Sequence, residues 1–218
     1  MAKILVSLLI ILMVTSYLIN STSTLKSKEK VQRKKLQNNS THADNKCENE
    51  PCPFTASDIK RIRKECLDAH NTYRQLHGTQ PLKLNKKLNV VAQKWADHLA
   101  KTGKFAHSPE NEYGENIYKG VRINNFRGNI PVKHFYEDEI PYFTFGLNTS
   151  DFMKTGHFTQ VIWASSNLLG VGVAKDVKNN QIFFVCEYEP PGNYVGEYAS
   201  QVPPPKYLTL KKKTEETT

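Results

Sequence analysis

The order in which two hydrophobic periods occur restricts this chain more than any other feature. Ile59, Ile62, Cys66, Ala69 and Tyr73 recur at three- and four-residue steps, and Leu88, Val91, Ala92, Trp95, Ala96 and Leu99 repeat the pattern. That spacing lines one face of a helix. Thr55 or Ser57 can cap the first helix, with Asp58 near its positive end, and Gly78 follows its end; the second runs from Asn85 to a stop at Gly103. Short apolar runs come later. Phe158–Trp163, Leu169–Ala174 and Ile182–Tyr188 read as strands, the last two joined by a hairpin turn at Asn179-Asn180. Helices first and an antiparallel meander afterwards predict an α+β fold in which helices cover a sheet.

Between these blocks, residues 104–129 read as irregular, punctuated by Pro109, Gly114, Gly120 and Gly128, and Val132–Ile140 reads as a short helix ended by Pro141. At 218 residues one domain with appendages is expected, placed at 57–198. Lys3 followed by the uncharged run Ile4–Ile19 has the layout of a secretory signal, so residues 1–23 are expected to direct the chain to the extracellular side. An uncleaved signal anchor is the alternative, and the only membrane attachment expected. Residues 24–56 read as a disordered basic linker, and residues 199–218, with Pro203-Pro204-Pro205 and Lys211-Lys212-Lys213, as a disordered tail. Asn38, Asn39 and Asn148 begin glycosylation sequons, which matter once the chain is exported. The formal charge of +9 sits largely on the ends, since residues 54–198 hold 18 Lys and Arg against 15 Asp and Glu. A nucleic-acid partner, which needs a clustered basic face on the folded part, is excluded on this ground.

The candidate chemistry begins at Gly156-His157-Phe158-Thr159-Gln160-Val161-Ile162-Trp163, read as a strand with His157 at its mouth. This octet resembles the most specific signature of the CAP superfamily, which comprises cysteine-rich secretory proteins, insect antigen 5 proteins and plant pathogenesis-related proteins. His70-Asn71-Thr72-Tyr73-Arg74, Gly114-Glu115-Asn116-Ile117 and Phe184–Tyr194 resemble further elements of that family in its order. Glu187 departs from it, standing where the family usually has Asn, Gln, Arg, His or Ser. The resemblance implies a three-layer α-β-α sandwich around a central antiparallel sheet. It also implies a cavity lined by two histidines and two acidic residues, here His107, Glu115, Glu139 and His157, with Asp138 a rival for the third position. His70, Asn71, Arg74 and Asn116 are assigned a structural role, tying helix to loops.

Two imidazoles can form half of a tetrahedral zinc site, so His107 and His157 are the expected ligands of a divalent metal, with the carboxylates either ligating or fixing the ring tautomers. A plain His/Glu hydrogen-bond network without metal is the competing reading. Tyr142, Phe143 and Phe145 lie in an aromatic loop that is either lipid-contacting or core. Export makes disulfides among Cys47, Cys52, Cys66 and Cys186 expected. Three pairings are possible, and Cys47–Cys52 with Cys66–Cys186 is preferred because the latter joins two elements inside the domain. The expected function is therefore that of a secreted binding protein, not an enzyme, acting on a lipid or sterol or on an extracellular receptor. The alternative is a secreted hydrolase using a metal-bound water or Ser108 beside His107.

Overall fold

Residues 53–109, 112–121 and 125–207 are described by the computed structural model. The chain divides into Met1–Glu50 and Pro51–Thr218, and every described residue belongs to the second part. The leader, most of the linker, Asn38, Asn39, Cys47, Cys52 and the chain beyond 207 lie outside the described residues.

Helix α1, Ala56–His77, begins where the Thr55 hydroxyl accepts the Asp58 N–H and the Asp58 carboxylate accepts the Thr55 N–H. It ends at Gly78, whose φ of 75° is a left-handed conformation that glycine adopts without steric cost. After β1 (Lys83–Leu84), helix α2 (Lys86–Thr102) starts from the Asn85 side chain, which accepts the Lys87 and Leu88 N–H groups. Then come β2 (Gly114–Val121), α3 (Asn129–Glu137), a 3-10 turn (Ile140–Tyr142) and α4 (Phe152–Ile162). The hairpin β3 (Leu168–Asp176) and β4 (Gln181–Glu189) and a short α5 (Tyr198–Gln201) complete the order.

The sheet runs β1-β3-β4-β2, with β4 antiparallel to both β2 and β3. The expected antiparallel sheet is thus corrected to a mixed one, because β1 pairs parallel with β3. A parallel pair needs a long connection, and α2, β2, α3 and α4 all intervene between Leu84 and Leu168. Helix α2 lies directly on one face: a Cβ on Gly172 would stand 2.2 Å from the Ala92 carbonyl, and one on Gly170 2.3 Å from that of Leu88. Ala92, Ala96 and Leu99 pack there against Ile117, Phe183 and Val185. Helix α1 covers the other face, with α3 and α4 beside it, giving the three-layer α-β-α arrangement. Beyond β1, the edge of β3 is closed by side chains. Asn89 and Gln93 accept the Val171 and Val173 N–H groups, while Arg63 and Gln93 donate to the carbonyls of the same two residues. An edge so occupied offers no ladder to another chain.

Four further expectations change. Phe158–Trp163 is not a strand but the second half of α4 with its C-cap; every residue from Thr155 to Ile162 except His157 is buried, so no polar stripe betrays a helix. The irregular stretch 104–129 contains β2, whose buried Asn116 broke the apolar pattern. Residues 199–207 are docked: Val202 is buried, Pro203 O accepts a hydrogen bond from His77, and Gln201 O accepts one from Ala164 N–H. The short helix is displaced to Asn129–Glu137, and Pro141 sits inside the 3-10 turn.

Candidate functional site

His107 lies in the loop that leaves α2. Trp95 on that helix holds the loop, donating from its indole nitrogen to Ala106 O at 3.1 Å. His107 Nδ1 then donates to Glu115 Oε1 at 2.6 Å, and the same oxygen accepts the Ser108 N–H at 3.1 Å. The two partners differ in exposure. The His107 side chain is 58% exposed and that of Glu115 only 5%. The second Glu115 oxygen is buried with no hydrogen-bond partner among the described residues. Hydrogen bonding to this carboxylate raises the His107 pKa above the ordinary 6.5, against an opposing effect of desolvation.

The second histidine is built from α4 and the turn after α3. Glu139 Oε2 accepts the N–H groups of His157 and Phe158, both at 2.9 Å, and Oε1 accepts His157 Nδ1–H at 2.5 Å. One carboxylate therefore fixes both the backbone and the ring. Phe135 stacks on the imidazole with ring centres 4.9 Å apart, holding its plane. Asp138, the rival acid, turns away to His134. The tetrad thus forms two separate His–Glu pairs. In each, Nδ1 carries the proton, which leaves Nε2 with its lone pair, the orientation that metal-ligating histidines obtain from a carboxylate behind them. In donor type, imidazoles with carboxylates behind them suit a borderline-soft divalent cation.

The other assigned residues tie elements together. Asn71 exchanges two hydrogen bonds with the Leu82 backbone. Arg74 is fully buried and donates to four carbonyls, those of Gln80, Val161, Trp163 and Ser166, so its charge sits at the negative end of α4. Burial lowers its pKa to about 10. Asn116 donates to His157 O and to the Tyr188 hydroxyl, which in turn donates to His70 Nε2. Cys66 and Cys186 stand side by side as two thiols with their sulfurs 3.6 Å apart. Phe143 and Phe145 pack on Phe158, at 5.3 and 6.2 Å between ring centres, whereas Tyr142, Leu147, Phe152 and Met153 are exposed.

Sequence reasoning missed how the signature polar residues latch the loop after β4. Gln160 Oε1 accepts the Gly192 N–H, Gln160 Nε2 donates to Ser166 Oγ, and the Thr159 hydroxyl lies 2.6 Å from Asn193 Oδ1. A strand reading placed these side chains on alternate faces and so hid the latch.

Comparison with known proteins decides the family. The family model for CAP, the cysteine-rich secretory protein family, matches residues 67–188. The chain belongs to the CAP family. It is 38% identical over 158 residues to the human Golgi-associated plant pathogenesis-related protein 1, covering 67% of this chain and 96% of that protein. Pathogenesis-related protein 1A of Nicotiana tabacum is 36% identical over 137 residues, covering 62% and 79% of the two chains. Among solved structures, that of BmVAL-1 shares the fold with a TM-score of 0.54 and 24% identity, covering 69% of this chain and 84% of that one. These likenesses fix the fold and family of this CAP protein.

Proposed function

We propose that this CAP protein is an exported binding protein, not a turnover enzyme, and that it presents the His107 and His157 imidazoles to a divalent cation of the zinc class at its ligand face. The observation that carries the proposal is the pairing of each ring with a carboxylate. Each Nδ1 meets a buried or half-buried glutamate, so each ring keeps its Nε2 lone pair for a ligand. A bound cation would supply charge with which to hold an anionic or carbonyl group of a ligand. CAP family proteins are generally non-enzymatic binding proteins, which supports the choice of class. Ser108 meets this pair through its backbone N–H, which donates to Glu115 Oε1.

The ligand is proposed to be a lipid or sterol, with an extracellular receptor as the other partner class. Phe143 and Phe145 pack within the core, so the apolar contact falls to the exposed Tyr142, Leu147, Phe152 and Met153. Export rests on the leader, and the extracellular location on that export. The test is transfer of a labelled sterol or fatty acid from vesicles to the full chain, beside an ester and peptide hydrolysis panel. Saturable transfer that is lost on Tyr142→Ser with Phe152→Ser, without hydrolysis, is the expected result. Hydrolysis that survives purification and vanishes in Ser108→Ala or Glu115→Gln overturns it.

A further inference from the structure

The Cys66, His70 and Cys186 side chains form a cluster at the opposite end of the Asn116 hydrogen-bond chain from His157. All three are fully buried, and their sulfur and nitrogen atoms lie within 4.8 Å of one another. Among the described residues this is the one group of three or more such side chains close enough to hold a metal. Two occupants are chemically conceivable for paired sulfurs beside an imidazole: a soft or borderline cation, or a covalent bond between the sulfurs.

The hydrogen bonds decide between them. Cys66 O, a pure acceptor, lies 2.9 Å from His70 Nδ1, so that nitrogen carries the ring proton. Tyr188 Oη lies 2.7 Å from His70 Nε2 and receives an N–H of Asn116 at 3.2 Å, so the Tyr188 proton points at Nε2. Both ring nitrogens are spoken for, and the one nearest the sulfurs has no lone pair to give. Burial lowers the His70 pKa to about 4, which keeps the ring neutral within this arrangement. Without the imidazole only two sulfurs remain, no other described Cys, His, Asp or Glu joins them, and at 0% exposure neither can draw on solvent to complete the four-coordinate site that zinc requires. The sulfurs themselves are 3.6 Å apart on α1 and β4, and a joint approach of about 1.5 Å brings them to bonding distance.

We propose that Cys66 and Cys186 are joined as a disulfide that closes while the chain folds and is then sealed in the core, stapling α1 to the central strand. The reaction is two successive exchanges with an external disulfide of the oxidising compartment, of the glutathione or protein-disulfide class. One thiolate attacks that disulfide, forming a mixed disulfide and releasing the first external thiolate. The second cysteine thiolate then attacks the mixed disulfide at the protein sulfur, forming the Cys66–Cys186 bond and releasing the second. Two electrons pass to the external disulfide, which leaves as two thiols with the two cysteine protons. Both sulfurs are inaccessible in the folded domain, and burial pushes the Cys66 thiol well above its usual range, so exchange belongs to a stage before α1 docks on β4.

The test is disulfide mapping of the full chain expressed through a secretory route, alkylated before and after denaturation without reductant. Cleavage after Lys and Arg puts Cys66 in residues 65–74 and Cys186 in residues 179–206. The expected result is a cross-linked 65–74/179–206 pair that native protein keeps in reduced glutathione, with reduction at least ~100-fold faster once urea has unfolded it. The same map on a Cys47→Ser, Cys52→Ser chain is expected to show the same pair. Alkylation of Cys66 and Cys186 on denaturation alone, or linkage of either to Cys47 or Cys52, overturns the proposal. So does a native mass raised by one zinc ion that Cys66→Ala abolishes. Reduction in the native state as fast as in urea overturns the sealed position of the bond.

Discussion

Replacing Glu139 by Gln changes one atom and tests the whole logic of the His157 pair. The carboxylate accepts three N–H groups, two from backbone on Oε2 and the ring Nδ1–H on Oε1. A carboxamide has one oxygen. Turned toward the His157 and Phe158 N–H groups, that oxygen keeps both backbone bonds and leaves an NH2 facing a ring N–H. The clash is relieved when the ring proton moves to Nε2 and Nδ1 becomes an acceptor, which removes the lone pair offered outward. Loss of an orienting partner of this kind lowers cation affinity about 10–100-fold. That range corresponds to roughly 1.4–2.8 kcal/mol. Stability falls by the loss of one charge-assisted hydrogen bond, about 1.5–3 kcal/mol. A domain stable by ~5–15 kcal/mol stays folded after that loss. The ring tautomer is read from imidazole 15N shifts, affinity by zinc calorimetry and stability by urea titration. A variant that keeps the Nδ1–H tautomer and parental zinc affinity refutes the reasoning.

Arg74→Met leaves four carbonyls without their donor, three of them in buried contacts, and is expected to cost about 3–5 kcal/mol, read as a lower urea midpoint at unchanged slope; a change under ~1 kcal/mol contradicts the buried network. Gly172→Ala places a Cβ 2.2 Å from the Ala92 carbonyl, so α2 must lift from the sheet at a cost of roughly 1–3 kcal/mol, and a neutral outcome in thermal melts shows the contact to be looser than described. The His107 ring is expected to titrate above 6.5 by NMR and to move back toward it in Glu115→Gln. Because that pKa is raised in the folded chain, the pair's stabilisation is full below about 6.5 and fades as pH climbs through the raised value. The effect is small for so exposed a ring, and a parental midpoint at or below 6.5 contradicts the pair.

Helices α1 and α2 were legible because each has one apolar stripe and explicit ends, from Thr55 to Gly78 and from Asn85 to Gly103. The β3–β4 hairpin was legible for a similar reason: Asn180, at φ 49°, ends a turn between two continuous apolar runs. Helix α4 was not. Phe158, Val161, Ile162 and Trp163 suit a strand by type, and a helix buried around most of its circumference has lost the polar face that reveals its period. Strand β2 was hidden by Glu115 and Asn116, polar residues held inside by His107 and Tyr188. The site shows the same division. The histidines and glutamates were chosen by family resemblance, but partners eight and eighteen positions apart carry no local signal of pairing. The choice of Glu139 over Asp138 needed the turn at Ile140–Tyr142 that separates α3 from α4.

The most direct measurement of the central claim is calorimetric titration of zinc into metal-free full chain, repeated for His107→Ala and His157→Ala. The account predicts one site in the parent, absent from both variants. It also predicts weakening as pH falls through the raised His107 pKa, because protonation takes that ring's Nε2 lone pair. Parental binding that persists unchanged in both variants, or no binding in the parent, would contradict it.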